Sequence, residues 1–125
     1  MKLNSINHIY RYVPNFMNNR KLPASEQIVF GLKVVPMPEQ DGYQNQKALN
    51  YNGNFAPDKA QEENDRLLKE LVKSKLDFIE GLEIGDKQVT DIETFYKEAP
   101  PELVADVFRA VMSTAVLTLG EQKNF

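Results

Sequence analysis

Cysteine is absent from this 125-residue chain, and histidine occurs once, as His8. The first absence excludes disulfides and thiolate metal sites. The second excludes a multi-histidine metal site within one chain. Long apolar runs are missing too, and no stretch approaches the ~18 consecutive apolar residues that a membrane span requires. The opening residues, MKLNSINHIYRY, lack the apolar stretch of a secretory signal. The expectation is therefore a cytoplasmic protein with no membrane partner. There is no phosphate-cradling glycine loop, no nucleophile elbow, no internal repeat and no low-complexity tract.

What is present suits a single domain spanning residues 1–125. With 42% hydrophobic and 26% charged residues, the composition is that of an ordinary globular protein with one modest core. The net charge of −3 is unevenly spread. Residues 1–36 hold Lys2, Arg11, Arg20, Lys21 and Lys33 against Glu26 alone, a net of +4 that leaves −7 for the remainder. A basic strand region on an acidic helical body can steer an oppositely charged partner, or it can be chance asymmetry of a solvated surface.

The clearest element is PPELVADVFRAVMSTAVL, residues 100–117. Leu103, Val104, Val107, Phe108, Val111, Met112 and Ala115 fall on one wide apolar stripe of a 3.6-residue helix. Pro100 and Pro101 suit a helix start, and Glu102 complements the positive end of the dipole. A helix this apolar has to cover something.

The rest of the chain supplies the partners. HIYRYVPNF, residues 8–16, alternates and is rich in aromatic and β-branched side chains, as a strand is. Pro14 should end it. QIVFGLKVVP, residues 27–36, predicts the best strand in the chain, and Gly31 within it implies a bulge or a close backbone approach. These two strands are expected to pair antiparallel through a connection too long to fix the register. Residues 36–57 show no surviving period and predict a long loop. Its Tyr43, Leu49, Tyr51 and Phe55 point either to a mobile arm that orders on a partner or to a passive insertion. A long helix is predicted from Asp58, as N-cap, to Gly81, as the glycine just past its end. Its stripe would be Leu68, Leu71, Val72, Lys75 and Ile79, widened by Leu67, Phe78 and Leu82. LEIGDKQVT predicts a hairpin turning at Gly85-Asp86. Thr90 and Glu93 have capping-box spacing for a short helix from Asp91 to Glu98, with Ile92, Phe95 and Tyr96 facing inward. The expected fold is α+β: an antiparallel strand pair and a small hairpin packed with three helices, and a long loop before the first long helix.

Chemistry is hard to place on these residues. As a general base, His8 would need an orienting carboxylate and a nucleophile, and a structural histidine is the simpler reading. Glu62, Glu63 and Asp65 sit at a helix start, where carboxylates complement the dipole without any metal. The two helices of residues 91–117 superficially form a helix-turn-helix, but the second, which would enter the major groove, carries Glu102 and Asp106 with Arg109 as its only cation and would repel phosphate. No catalytic residue, metal, cofactor or nucleic-acid partner is expected.

The order of elements is familiar at this point. A basic strand pair with IYRYVPNF and NNRKLPASEQIVFGLKV, a charged helix, then IEGLEIGDKQVTDIETFYKEAPPELVADVFRAVM and a polar GEQKNF tail resembles small tail assembly chaperones of long-tailed bacteriophages. The similarity covers residues 9–35 and 78–125, carried by LPASEQI, the GLEI hairpin and APPELV before the last helix. The Asn/Gln/Tyr-rich stretch between them has no counterpart in the resemblance.

The resemblance implies a non-catalytic protein of the host cytoplasm. Such proteins bind the tape measure protein, keep it soluble and help bring tail-tube subunits around it. Two other classes remain open: a structural tail or head–tail connector subunit, and a small regulatory protein-binding domain. For the first reading, a helix-in-groove contact would use side chains superfluous to a small core. Those are Tyr43, Tyr51 and Phe55 in the loop, and Met112, Val116 and Leu119 towards the end of the last helix. Surplus apolar surface on the two long helices also makes the chain a candidate homo-oligomer.

Overall fold

A computed structural model describes residues 5–114, apart from the Asn54 side chain. The fold is α+β, as its periodicities predict. Strand β1 (Ile9–Tyr12) pairs with β2 (Val29–Lys33), and β2 pairs in turn with β3 (Leu76–Glu80), all antiparallel in the order β1-β2-β3. A separate hairpin joins β4 (Glu83–Ile84) to β5 (Lys87–Gln88) across Gly85-Asp86, as expected. The helices are α1 (Met37–Leu49), α2 (Pro57–Lys75), α3 (Ile92–Glu98) and α4 (Pro101–Ser113).

The core forms where one face of the sheet meets α3 and α4. Tyr12, Phe30 and Ile79 make a cross-strand row on that face, with Leu32 beside them. Leu103, Val107, Ala110 and Val111 of α4 pack into the same cluster, and Phe95 of α3 meets Phe30 at 5.1 Å between ring centroids. Two polar ties fix α4 to the sheet. The Tyr12 hydroxyl donates to Asp106 Oδ2 at 2.6 Å. At the other end of α4, the backbone N–H of Val35 donates to Thr114 Oγ1 at 3.1 Å, and the Thr114 hydroxyl donates to the Val111 carbonyl. Without that hydroxyl, a buried N–H would lack its partner.

Gly31 is the site of the expected close approach. The Phe78 ring lies against it so closely that a Cβ would overlap the ring, and the β2–β3 register shifts between Gly31 and Leu32. Arg11 sits over the same ring at 5.6 Å. The outer face of the sheet is thus covered at its centre by one aromatic ring.

The connection from β1 to β2 sets the register that the sequence left open. It consists of two 3-10 turns, Phe16–Lys21 and Ala24–Glu26, with Met17 and Asn18 in the left-handed region at φ 49° and 61°. The buried Asn19 amide holds it. Its Nδ2 donates to the carbonyls of Pro14 (2.8 Å) and Ile28 (3.0 Å), and its Oδ1 accepts from the Ile28 N–H (2.8 Å). Pairing therefore begins at Tyr12↔Phe30 and runs to Ile9↔Lys33.

Several expectations are corrected. The long loop predicted over residues 36–57 is α1 followed by a π-type turn, Asn50–Asn54. The single buried residue of α1 is Tyr43, which leaves no apolar period to read. Tertiary ties hold α1 instead. Lys75 Nζ reaches Glu39 at 2.9 Å, Gln40 Nε2 donates to the Val35 carbonyl, and Asn50 Nδ2 donates to Asn64 Oδ1 in the interior. The predicted helix from Asp58 to Gly81 is a helix only to Lys75, and Leu76–Glu80 is a strand. Leu76–Ile79, interrupted by Asp77, is too short a stretch for its period to decide, and pairing with the edge of β2 decides it. Ala56 and not Asp58 occupies the N-cap of α2, because Pro57 takes the first helical position and puts Asp58 in the first turn. Gly81 adopts φ 74° at the exit of β3, where a Cβ would overlap the Gln27 carbonyl. Asp91, one residue later than Thr90, caps α3 by accepting from the Thr94 N–H at 3.0 Å. Tyr96 faces outward at 39% exposure.

Three outcomes test this packing. Gly31→Ala should cost about 1–3 kcal/mol in urea unfolding, and far less in a Phe78→Ala background. Equal costs in the two backgrounds would place the strain elsewhere. Phe95→Ala should cost ~3–5 kcal/mol, as full burial demands, whereas Phe108→Ala on the half-buried flank of α4 should cost only about 1–2 kcal/mol. Hydrogen bonds from Thr94 hold the Asp91 carboxyl below the usual aspartate range. Its folded pKa is depressed, so its stabilisation is present above the ordinary value and lost as pH falls through the depressed one. The melting-temperature gap between the native protein and Asp91→Ala should therefore be full near neutrality and close on acidification. A gap that is constant with pH would contradict the cap.

Candidate functional site

Carboxylates and histidine can be dealt with first. His8 is exposed and packs edge-on against Tyr10 at 5.0 Å between centroids. At the start of α2, Glu62 pairs with Lys59 and Glu63 with Arg66, while Asp65 Oδ1 accepts from the Gln61 amide. Each carboxylate has its own local partner, and they do not converge. Among the described residues, no group of three or more histidine, cysteine, aspartate or glutamate side chains is placed to hold a metal ion. No helix among them is long and apolar enough to cross a membrane.

The surface does carry an apolar trough. The stripe of α4 is wider than the sheet can cover. Its inner residues enter the core, and Val104, Phe108 and Met112 remain partly buried on its flank. Two adjoining cavities lie along that flank. One, about 450 Å³, is lined by Leu68, Tyr96, Ala99, Pro101 and Val104 among others. The second, about 500 Å³, is lined by Tyr43, Gln44, Lys47, Arg109 and Met112. Leu68, Ala105 and Phe108 line both, which makes the two cavities one continuous depression between α1, α2, α3 and α4.

Local structure positions each wall. The Asp91 cap and the Pro100-Pro101 turn set α3 against the start of α4, so that the Tyr96 ring stacks on Phe108 at 5.8 Å and 26°. Lys69 lies 4.9 Å over the other part of this platform, the Tyr96 ring, while its ammonium is bound to Glu93 at 2.9 Å. That bond, more than any other effect, holds the Glu93 carboxyl below its ordinary value. Tyr43 forms the far wall. Burial pushes its phenol above the ordinary value, with Asp65 and Tyr51 adding to the effect. Lys47 sits 5.9 Å from the centre of the Tyr43 ring.

Of the six contact residues expected from sequence, Tyr43 and Met112 come together in this trough, from helices far apart in the chain. Tyr51 and Phe55 are exposed, at 48% and 41%, but line neither cavity, and the Tyr51 hydroxyl donates to Gln61 Oε1 at 2.7 Å. Val116 and Leu119 lie outside the described residues. Tyr96, Phe108, Lys47 and Lys97 were not singled out. The first two carry the same signal as Met112, apolar bulk on a helix with little room in the core. The two lysines carry none, since only the folding of α1 brings Lys47 to α4.

A larger cavity of about 640 Å³ lies beneath the β1–β2 connection, walled by Phe16, Leu22, Ile28 and Leu82, with Glu26 and Glu83 also lining it. The strained turn leaves Met17 83% exposed beside it. Comparison of the chain with protein-family models, with curated proteins and with solved structures finds no match.

Proposed function

We propose that this protein is a non-catalytic assembly chaperone of the phage tail type, which holds the apolar side of a long helical tape measure protein until tail-tube subunits enclose it. One observation carries the reading. The trough along α4 is open, continuous over two cavities and walled by Tyr43, Leu68, Tyr96, Phe108 and Met112. An amphipathic helix laid in such a groove buries residues at i, i+3, i+4 and i+7 against exactly this mixture of aromatic, aliphatic and methionine side chains. Methionine and stacked aromatic walls tolerate a varied sequence, as a chaperone for a long repetitive client requires. The order of elements that resembles tail assembly chaperones supports the same reading.

The test is co-expression with a candidate tape measure protein, a long chain of predicted helix. The native chain should keep that client soluble, and Phe108→Asp should lose this protection while keeping a native-like thermal transition. The milder Phe108→Ala should give an intermediate loss. Purified mature particles should lack the protein. Client solubility that is the same with or without this chain would defeat the proposal.

A further inference from the structure

The charges around the trough are unlike those of the region it is built from. Residues 37–125 carry a net charge of −7. The charged side chains lining the two cavities are nevertheless Lys47, Lys97 and Arg109 against a single carboxylate, Asp65. Arg109 is engaged by Asp106 at 2.9 Å. Lys47 and Lys97 have no carboxylate within ion-pair distance among the described residues, and they stand at opposite cavities, one on α1 and one on α3. Asp65 is held by the Gln61 amide, so it neutralises neither lysine by direct contact.

We infer that the trough selects an amphipathic helix whose apolar stripe is flanked by glutamate or aspartate, with Lys47 and Lys97 each receiving one of those carboxylates. The inference rests on the helix-in-groove reading above and adds the chemistry of the occupant. An apolar groove alone would take any amphipathic helix of the right width. Unpaired cations on both stretches of the rim favour acidic flanks and reject basic ones, since like charges brought together across an interface are penalised. Rim charges act mainly on encounter and on salt dependence, so the preference should be strongest at low ionic strength.

Two fluorescently labelled synthetic peptides of about 20 residues provide the probe. Both carry leucine at i, i+3, i+4 and i+7, and they differ only in having glutamate or lysine at the flanking positions. Binding to the full chain is followed by anisotropy. The glutamate peptide should bind about tenfold or more tighter at low salt, with the gap narrowing as salt is raised. The double variant Lys47→Gln/Lys97→Gln should erase the preference, and Lys47→Glu/Lys97→Glu should reverse it, each with an unchanged melting transition. Equal affinity for the two peptides, lost with Phe108→Asp, would overturn the acidic-flank inference and leave the groove reading standing. Binding of neither peptide would remove both. Concentration-dependent self-association that the peptide competes away would assign the trough to a second copy of the chain and also overturn the inference.

Discussion

Strand β2 is paired on both edges and covered on both faces, and the rest of the chain arranges itself around that demand. Four of its five residues are buried. Its edges require two neighbours, which come from either side of it in the sequence, β1 near the start and β3 after α2. Its inner face requires a helix with an apolar stripe, which α4 provides. On its outer face, among the described residues, the cover is local. Gly31 has no side chain where the Phe78 ring packs against the strand, with Arg11 over the ring. A side chain on β3 thereby does what a second layer would do in a larger domain.

The same demand explains why an open trough exists at all. A three-stranded sheet with a twist presents an inner face narrower than the stripe of α4. Leu103, Val107, Ala110 and Val111 use up that face, and Val104, Phe108 and Met112 are left on the flank. They are not abandoned to solvent, because Leu68 from α2 and Tyr43 from α1 approach from one side and Tyr96 from the other. The result is partial cover with space left over. The site therefore follows from how the fold is covered and is not an addition to it.

This also separates what could be read in the sequence from what could not. The stripe of α4, the β2 strand, the Gly31 irregularity and the Gly85-Asp86 turn all rest on local patterns, and each is found where the pattern puts it. Two elements escaped because their causes are distant. Helix α1 is a polar stretch with one buried ring, and its distant ties, Lys75 to Glu39 and Asn64 to Asn50 at its C-cap, leave no trace in the local period. Strand β3 continues the spacing of α2 for one more turn, and only the vacant edge of β2 distinguishes strand from helix there. For the site, Tyr43 and Met112 were legible as apolar bulk without an evident core position. That they face each other depends on α1 being a helix, the feature least visible in the sequence.

The electrostatics of the surface follow from where carboxylates are already committed. Glu39 is taken by Lys75, Glu63 by Arg66, Glu93 by Lys69 and Lys73 together, and Asp106 by both Arg109 and the Tyr12 hydroxyl. The last of these raises the Tyr12 phenol above its ordinary value, with burial as the larger cause. Most of these pairs are exposed, and individually they contribute little to stability. Their collective effect is on distribution. Glu62, Glu63 and Glu93 on α2 and α3 are matched to local cations, whereas Lys47 and Lys97, at the edge of the apolar trough, have no carboxylate within ion-pair distance among the described residues. The local reversal at the trough lets a partner of matching charge approach the apolar surface that the sheet was too narrow to cover.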